Sequence, residues 1–341
     1  GLRELGYDVW LVEPVAGLDQ TTVRTFEALA AEFELRSRAA LLVGHGEETL
    51  GASFRSLVRA CESADALIDI SGVLARHELL ERFAVRAYVD VDPAFNQLWH
   101  TSGIDRGFDA YTHHFTAGLN IGREHCEIPT CGVAWRPALP PVALREWACA
   151  APCRTGALTT VANWRSYGSI ERAGAFYGQK AHSLRVLIDL PRRSSARFVL
   201  ALEIHPDERA DRQSLQGGGW ELADPGRVTG SARAYRDFIV RSSAELGVAK
   251  AGYVTARCGW FSDRSACYLA SGRPVLAQDT GLGRVLPLGE GLLGFADSDG
   301  ALAALDSLES DYERHAAAAR AFAEEYLDAR VVLGGMLEGL A

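Results

Sequence analysis

Apolar sequence is broken throughout this chain. No uninterrupted run reaches the roughly 20 residues that a membrane-spanning helix needs, and no charged segment followed by a hydrophobic stretch marks a secretory signal. The expected setting is the cytoplasm, with no membrane span. Basic charge is in deficit: 35 Lys and Arg stand against 44 Asp and Glu, for a formal net charge of −9. That balance argues against nucleic acid as a partner, since no basic stripe is offered to a polyanion, yet it leaves room for a local basic pocket around a phosphate. Methionine is nearly missing, Met336 being the only one. The opening Gly1-Leu2-Arg3-Glu4-Leu5-Gly6-Tyr7-Asp8 reads as a helix end and a turn before a strand, so a first strand and most of a first helix are expected upstream of Gly1.

Paired metal-binding cysteines are lacking too. Cys61, Cys126, Cys131, Cys149, Cys153, Cys258 and Cys267 form an odd set of seven without a C-x-x-C pair. A disulfide framework is not expected. Nor is a metal, although thiolates and the imidazole of His125, beside Cys126, are of the type that binds zinc.

What the chain does have is length and alternation. Its 341 residues exceed what a single core usually organises, and 48% hydrophobic with 23% charged residues is an ordinary globular balance. Strand-like and helix-like runs alternate, which predicts an α/β fold. Residues 8–12, 64–70 and 86–91 read as strands, and 21–38 and 54–63 as helices, with Phe26, Leu29, Ala30 and Phe33 at helical spacing. Apolar continuity in the strands suggests parallel sheets covered on both faces. Proline-rich residues 136–142 then break the pattern. The resulting division is an N-terminal domain over 1–145, a linker at 146–156, a second domain over 157–310, and C-terminal helices over 311–341 packing back across the domains. Within the second domain, strands are expected at 157–162, 197–203, 247–249, 274–277 and 292–295, and helices at 232–242, 262–271 and 300–308. A further helix is expected at 310–326.

Chemistry concentrates in residues 258–281. Ser262 is a good N-cap, with Asp263 and Arg264 in the first turn. Ala266, Leu269 and Ala270 make a buried stripe; Gly272 ends the helix and Pro274 starts the next strand. Asp279-Thr280-Gly281 falls at that strand's carboxyl end, where open α/β sheets place ligands. Free amides at a helix N-terminus receive anions, and Arg264 adds a bidentate clamp suited to a diphosphate. The same pattern also suits an ordinary helix-turn-strand unit with a solvated arginine.

The run Leu269-Ala270-Ser271-Gly272-Arg273-Pro274-Val275, followed by Gln278-Asp279-Thr280-Gly281 and Gly289-Glu290-Gly291-Leu292, resembles the donor-binding signature of GT-B glycosyltransferases. The similarity covers roughly residues 159–295 and is closest to the bacterial branch related to spore-maturation and group 1-like members. It implies two Rossmann-like domains facing a central cleft. It also implies a nucleotide-diphosphate sugar as co-substrate, no cofactor or metal, and a small-molecule or glycan acceptor. The donor-binding residues implied are Ser262, Asp263, Arg264, Asp279, Thr280 and Gly281, with Glu290 on a ribose hydroxyl. Asn163 and Trp164 would face the cleft, the indole stacking on a base or sugar, and Lys180 would lie where a basic K-G region holds donor phosphates. One departure stands out. Retaining members carry two glutamates, separated by seven residues, on the donor sugar and ribose; those positions are Gly259 and Cys267 here. Sugar contacts are then expected from neighbours such as Ser262 and Asp263, or activity has been lost.

Other candidates follow from position. Lys250 is placed either to approach the nucleotide or to pair with a carboxylate. Asp90-Val91-Asp92-Pro93 and Tyr111-Thr112-His113-His114 each read as ending an apolar run. Asp92 or His113 is therefore expected as general base on an acceptor hydroxyl, if the enzyme inverts. Asn120 and Gly122 lie in a loop that is a weaker candidate for the donor phosphates. Two rival readings share the architecture: a nucleotide-sugar epimerase, and a non-catalytic sugar-nucleotide-binding protein, the latter motivated by the missing glutamates. The oligomeric state is left open.

Overall fold

The computed structural model describes residues 1–44, 48–75 and 77–340. Its N-terminal lobe begins with strand β1 (Leu11–Val15), helix α1 (Gln20–Glu32) and β2 (Ala39–Val43), which pairs in parallel with β1 and antiparallel with β3 (Thr49–Gly51). Asp19 caps α1 by accepting from the Thr22 amide, and Ser53 caps α2 (Phe54–Ser63) at the Ser56 amide. A second sheet runs in the order β4 (Leu67–Ile70), β5 (Arg86–Asp90), β6 (His113–Thr116) and β7 (Arg136–Pro137), every pair parallel, with α3 (Phe95–Thr101) after β5. The proline-rich break thus contributes an edge strand, where a residue without an amide proton is tolerated. Residues 144–156 carry no helix or strand. They are tied down by Arg273, a fully buried guanidinium that donates to the Ala151 and Val240 carbonyls.

The C-terminal lobe opens with β8 (Leu158–Asn163) and a hairpin of β9 (Ile170–Arg172) and β10 (Ala175–Tyr177). There follow α4 (Lys180–Val186), β11 (Phe198–Glu203), α5 (Arg209–Gly217), β12 (Glu221–Ala223), α6 (Pro225–Thr229), α7 (Ala232–Val240) and β13 (Ala244–Gly247). Next are α8 (Ala251–Ala256), α9 (Asp263–Ala270), β14 (Val275–Gln278), β15 (Leu292–Phe295), α10 (Ser298–Ser310), α11 (Tyr312–Phe322) and α12 (Ala329–Glu338). Six strands form one parallel sheet in the order β12-β11-β8-β13-β14-β15. One face buries Leu158, Leu200, Leu246, Leu276 and Leu293; the other packs Val275, Ala277 and Leu292 against Tyr268, Leu269 and Phe322. Strand order reverses between β8 and β13. Those two strands pair only at Leu158–Ala244 and Thr159–Glu245 and then part, so a crevice opens at their carboxyl ends.

Beyond α11 a π-helical turn, Ala323–Leu327, leads the chain back to the N-terminal lobe. Val142 and Leu327 join through a backbone hydrogen bond of 2.8 Å, and Met336 of α12 packs with Ala87 and Phe115. No helix among the described residues is long and apolar enough to cross a membrane.

A fully buried carboxylate organises the carboxyl edge of the N-terminal sheet. Asp90, the last residue of β5, accepts from the Asn96 side chain (2.7 Å), the Asp92 amide (3.1 Å), the Gln97 side chain (2.8 Å) and the Thr116 hydroxyl (3.0 Å). Burial pushes its pKa up, and the side-chain donors pull against that shift. Asp90→Ala leaves several donors stranded, each costing about 1–3 kcal/mol. The expected loss is at least about 3 kcal/mol of stability, read as a lower urea midpoint.

Candidate functional site

A pocket of about 410 Å³ lies where the carboxyl ends of the two parallel sheets meet. From the N-terminal lobe it is lined by Ser71, after β4, and by Val91 and Asp92, after β5; from the C-terminal lobe by Asn163, Ser166, Lys180 and Lys250. Trp260, Ser262, Asp263 and Arg264 complete the wall, so the first turn of α9 faces the pocket.

That turn is open. The first amide to bond back is that of Ala266, to the Ser262 carbonyl at 3.2 Å, and the Ser262 side chain makes no cap bond. The amides of Asp263, Arg264 and Ser265 find no acceptor among the described residues. Such an end carries partial positive charge and receives anions. Beside it Lys180 is buried, its ammonium donating to the Val248 carbonyl at 2.6 Å. Burial holds its pKa well below the usual lysine range; the nearby Arg264 charge adds to that and Glu245 opposes it. One acceptor among the described residues for three ammonium protons leaves Lys180 short of partners.

Arg264 is held from behind. Its Nε donates to the carboxylate of Glu245, which has no exposed surface, and its Nη1 reaches the Val161 carbonyl at 2.9 Å, while Nη2 has no partner. The expectation of a free clamp is corrected here. A carboxylate buried inside a sheet requires a cation, and Glu245 takes most of this one.

Across the pocket Asp92 is equally committed. It accepts from Lys250 (3.1 and 3.2 Å), from Tyr167, and from Tyr253. Burial lowers the Lys250 pKa and Asp92 restores part of the shift. The ammonium also lies 4.2 Å from the Tyr167 ring centroid. This cluster ties the lobes together. A second tie follows: the Asn120 amide donates to Cys258 O (2.9 Å), and the Asn120 side chain to Arg257 O and Gly281 O, both at 3.0 Å. Gly118 and Trp260 form an antiparallel bridge beside it.

No known family model matches the sequence, and no curated protein does. Solved structures do resemble the fold. Anabaena HepE in complex with UDP-glucose superposes with a TM-score of 0.59 at 12% identity, over 97% of this chain and 98% of that one. An alpha-glucosyltransferase in complex with UDP and a 13-mer DNA containing a central A:G mismatch gives 0.60 at 10% identity, with the same coverage. The lipopolysaccharide outer core galactosyltransferase WaaB, in its apo form, gives 0.50 at 13%, over 97% and 99% of the two chains. The chain has the GT-B fold.

Within the GT-B frame, Asp92, Asn163, Lys180, Ser262, Asp263 and Arg264 converge on one pocket. Other expected site residues do not. Trp164 is 1% exposed, packed in the core with its Nε1 on Asp211 (3.1 Å); β8 ends one residue earlier, and the indole turns inward under α4 and α5. Trp260, stacked on Tyr253 at 4.5 Å, supplies the aromatic wall instead. His113 begins β6 rather than following it, so it lies at the edge of the sheet away from the pocket, bonded to Thr112 at 2.8 Å. Asp92 is not free to act as a base, since both its oxygens are taken by hydrogen bonds.

The loop after β14 also departs from expectation. Thr280 is buried, with its hydroxyl on Trp260 O (2.8 Å); Asp279 caps the Gly281 amide (2.7 Å); and Gly281, at φ +90°, is pressed against Asn120. These three build the tie between lobes and do not line the pocket. Glu290 is exposed and paired with Arg314 of α11, which draws it out of the cleft. Gly259, where the resemblance calls for a glutamate, has φ +73°, and a Cβ there would meet Asn120 at 3.0 Å. Cys267 is mostly buried, its thiol pushed up to about 12 by desolvation.

Asp92→Ala strands Lys250 and two tyrosine hydroxyls, and the expected cost is about 2–4 kcal/mol in chemical denaturation. Trp164→Phe is expected to lower stability by about 1 kcal/mol through the lost Asp211 bond, with nucleotide affinity by calorimetry unchanged.

Proposed function

We propose that the protein transfers a sugar from a nucleotide-diphosphate donor to a small-molecule or glycan acceptor bound against the N-terminal lobe. One observation carries the reading: the unpaired amides that open α9, beside the desolvated Lys180, face a pocket at the switch point of a doubly wound sheet. HepE is described in complex with UDP and with UDP-glucose, so UDP-sugars are the first donors to try. The kinship to the spore-maturation branch belongs to the same proposal and rests on the 269–275 run.

As the bond from the anomeric carbon to the leaving oxygen breaks, negative charge gathers on the diphosphate. The amides of residues 263–265 open onto the pocket with Lys180 beside them, where they can meet the charge as it develops. With those groups carrying the charge, the reading needs no metal. The acceptor oxygen closes on the anomeric carbon as the leaving oxygen departs, and its proton passes to the departing diphosphate. Asn163, Ser262 and Asp263 offer hydrogen bonds to sugar hydroxyls in place of the glutamates. The net charge of −9 favours an acceptor other than nucleic acid. A second reading, nucleotide-sugar binding without turnover, is favoured by Gly259, Cys267 and the committed Asp92; hydrolysis or transfer of a UDP-sugar above background removes it.

Thermal shift against a panel of nucleoside diphosphates and their sugars tests the reading. A ligand at one hundred times its dissociation constant stabilises the protein by about 2.7 kcal/mol, and a panel without any shift overturns the proposal. The pH dependence follows from Lys180. Its pKa is depressed in the free protein, and a bound anion favours the charged form, so binding takes up a proton. Diphosphate affinity should therefore fall as pH rises through that depressed pKa, by up to about tenfold per unit. Lys180→Met should weaken binding and flatten this slope in calorimetric titrations.

A further inference from the structure

The tie between Asn120 and residues 257–260 does more than join the lobes: it divides the groove between them. On one side lies the pocket already described, at the ends of β4, β5 and β8. On the other lies a second pocket of about 460 Å³ at the ends of β6 and β7, beside Val285 and Leu286 of the loop after β14, and bounded by α12. Its volume falls in the ordinary range for small-molecule sites, roughly 300–1,000 Å³.

The chemistry of this second compartment is one-sided. Its walls are Phe115, Leu119, Leu139, Leu286, Val332 and Met336, with further apolar neighbours. No Asp or Glu among the described residues lines it. Its charged groups are Arg123 and Arg136, both exposed. Each is anchored by one backbone bond: Arg123 Nε to Leu119 O at 3.0 Å, and Arg136 Nη1 to Gly339 O. Neither guanidinium meets a carboxylate among the described residues, although acidic residues outnumber basic ones in the chain. Anchored forks with unused donors suit an anionic head, and the apolar walls suit a hydrocarbon chain.

We infer that this compartment binds a single-chain amphiphile, its hydrocarbon tail in the pocket and a phosphate head on Arg123 and Arg136. The inference is independent of the sugar-transfer reading, because the two pockets share no lining residue.

Gly335 gives a steric test. It lies in α12, lines the pocket, and a side chain added there enters open space. Gly335→Leu therefore fills the compartment while improving local helix propensity, and a urea midpoint at or above that of the parent shows that it is folded. Calorimetric titration with dodecyl phosphate, below its micellar concentration, should show saturable binding. Inorganic phosphate and dodecyl maltoside should bind at least tenfold more weakly. Arg123→Ala with Arg136→Ala should weaken dodecyl phosphate at least tenfold, and Gly335→Leu should abolish it. The inference is overturned if dodecyl phosphate does not bind. It is equally overturned if the maltoside binds as well, if the arginine pair makes no difference, or if folded Gly335→Leu binds normally.

Discussion

Glu245 has no exposed surface, and the ion pair that compensates it orders the site around it. The residue sits within β13, in the middle of a parallel sheet, between Thr159 of β8 and Val275 of β14. An uncompensated carboxylate there would cost several kcal/mol. Arg264 answers it from the first turn of α9 and satisfies the Val161 carbonyl that β13 leaves unpaired where the strands part. Two consequences follow from one contact. The amino end of α9 is drawn over the crevice between β8 and β13, so its open amides face the pocket. The guanidinium also lies close enough to Lys180 to help hold that ammonium short of its usual proton affinity.

Closure of the lobes rests on a different kind of bond. Asp92 gathers an ammonium and two phenols from the opposite lobe, and Asn120 reaches three carbonyls of the segment before α9 and the loop after β14. These contacts consume groups that would otherwise be open to a ligand in the cleft. The carboxylate best placed to be a base is instead a clasp, and the position where the GT-B resemblance calls for a glutamate is a glycine because Asn120 stands against it.

Much of the architecture was legible along the chain. The helix at Phe54–Ser63 and the strand at Leu292–Phe295 have the expected bounds, because a serine cap and a helical stripe mark the first, and Gly291 before an apolar run marks the start of the second. The α9 segment was readable for the same reason: cap, stripe, glycine and proline follow one another. The reading slipped where tertiary partners overrode local pattern. β13 was placed three residues late, since a glutamate amid apolar residues hides a strand until its arginine is known. β7 was read as a break in the pattern, since prolines do not announce a strand until an edge position accommodates them. Residues 111–114 were taken to end a strand that His113 begins, which puts His113 at the end of the sheet away from the pocket.

The chain by itself determined the class of fold, the two sheets of parallel strands, and the helix start at Ser262. Each of these is a local signal of periodicity, capping or turn chemistry within a few residues. Only the tertiary structure decided which charges remain free. Arg264, Asp92 and Glu290 look alike as candidates in one dimension; in three, each has a partner that is 19, 158 or 24 residues away in sequence. Of the pocket's cations, Lys180 is the one left without a carboxylate among the described residues. Burial and long-range pairing set the availability of a charged group, and neither is written in its neighbours.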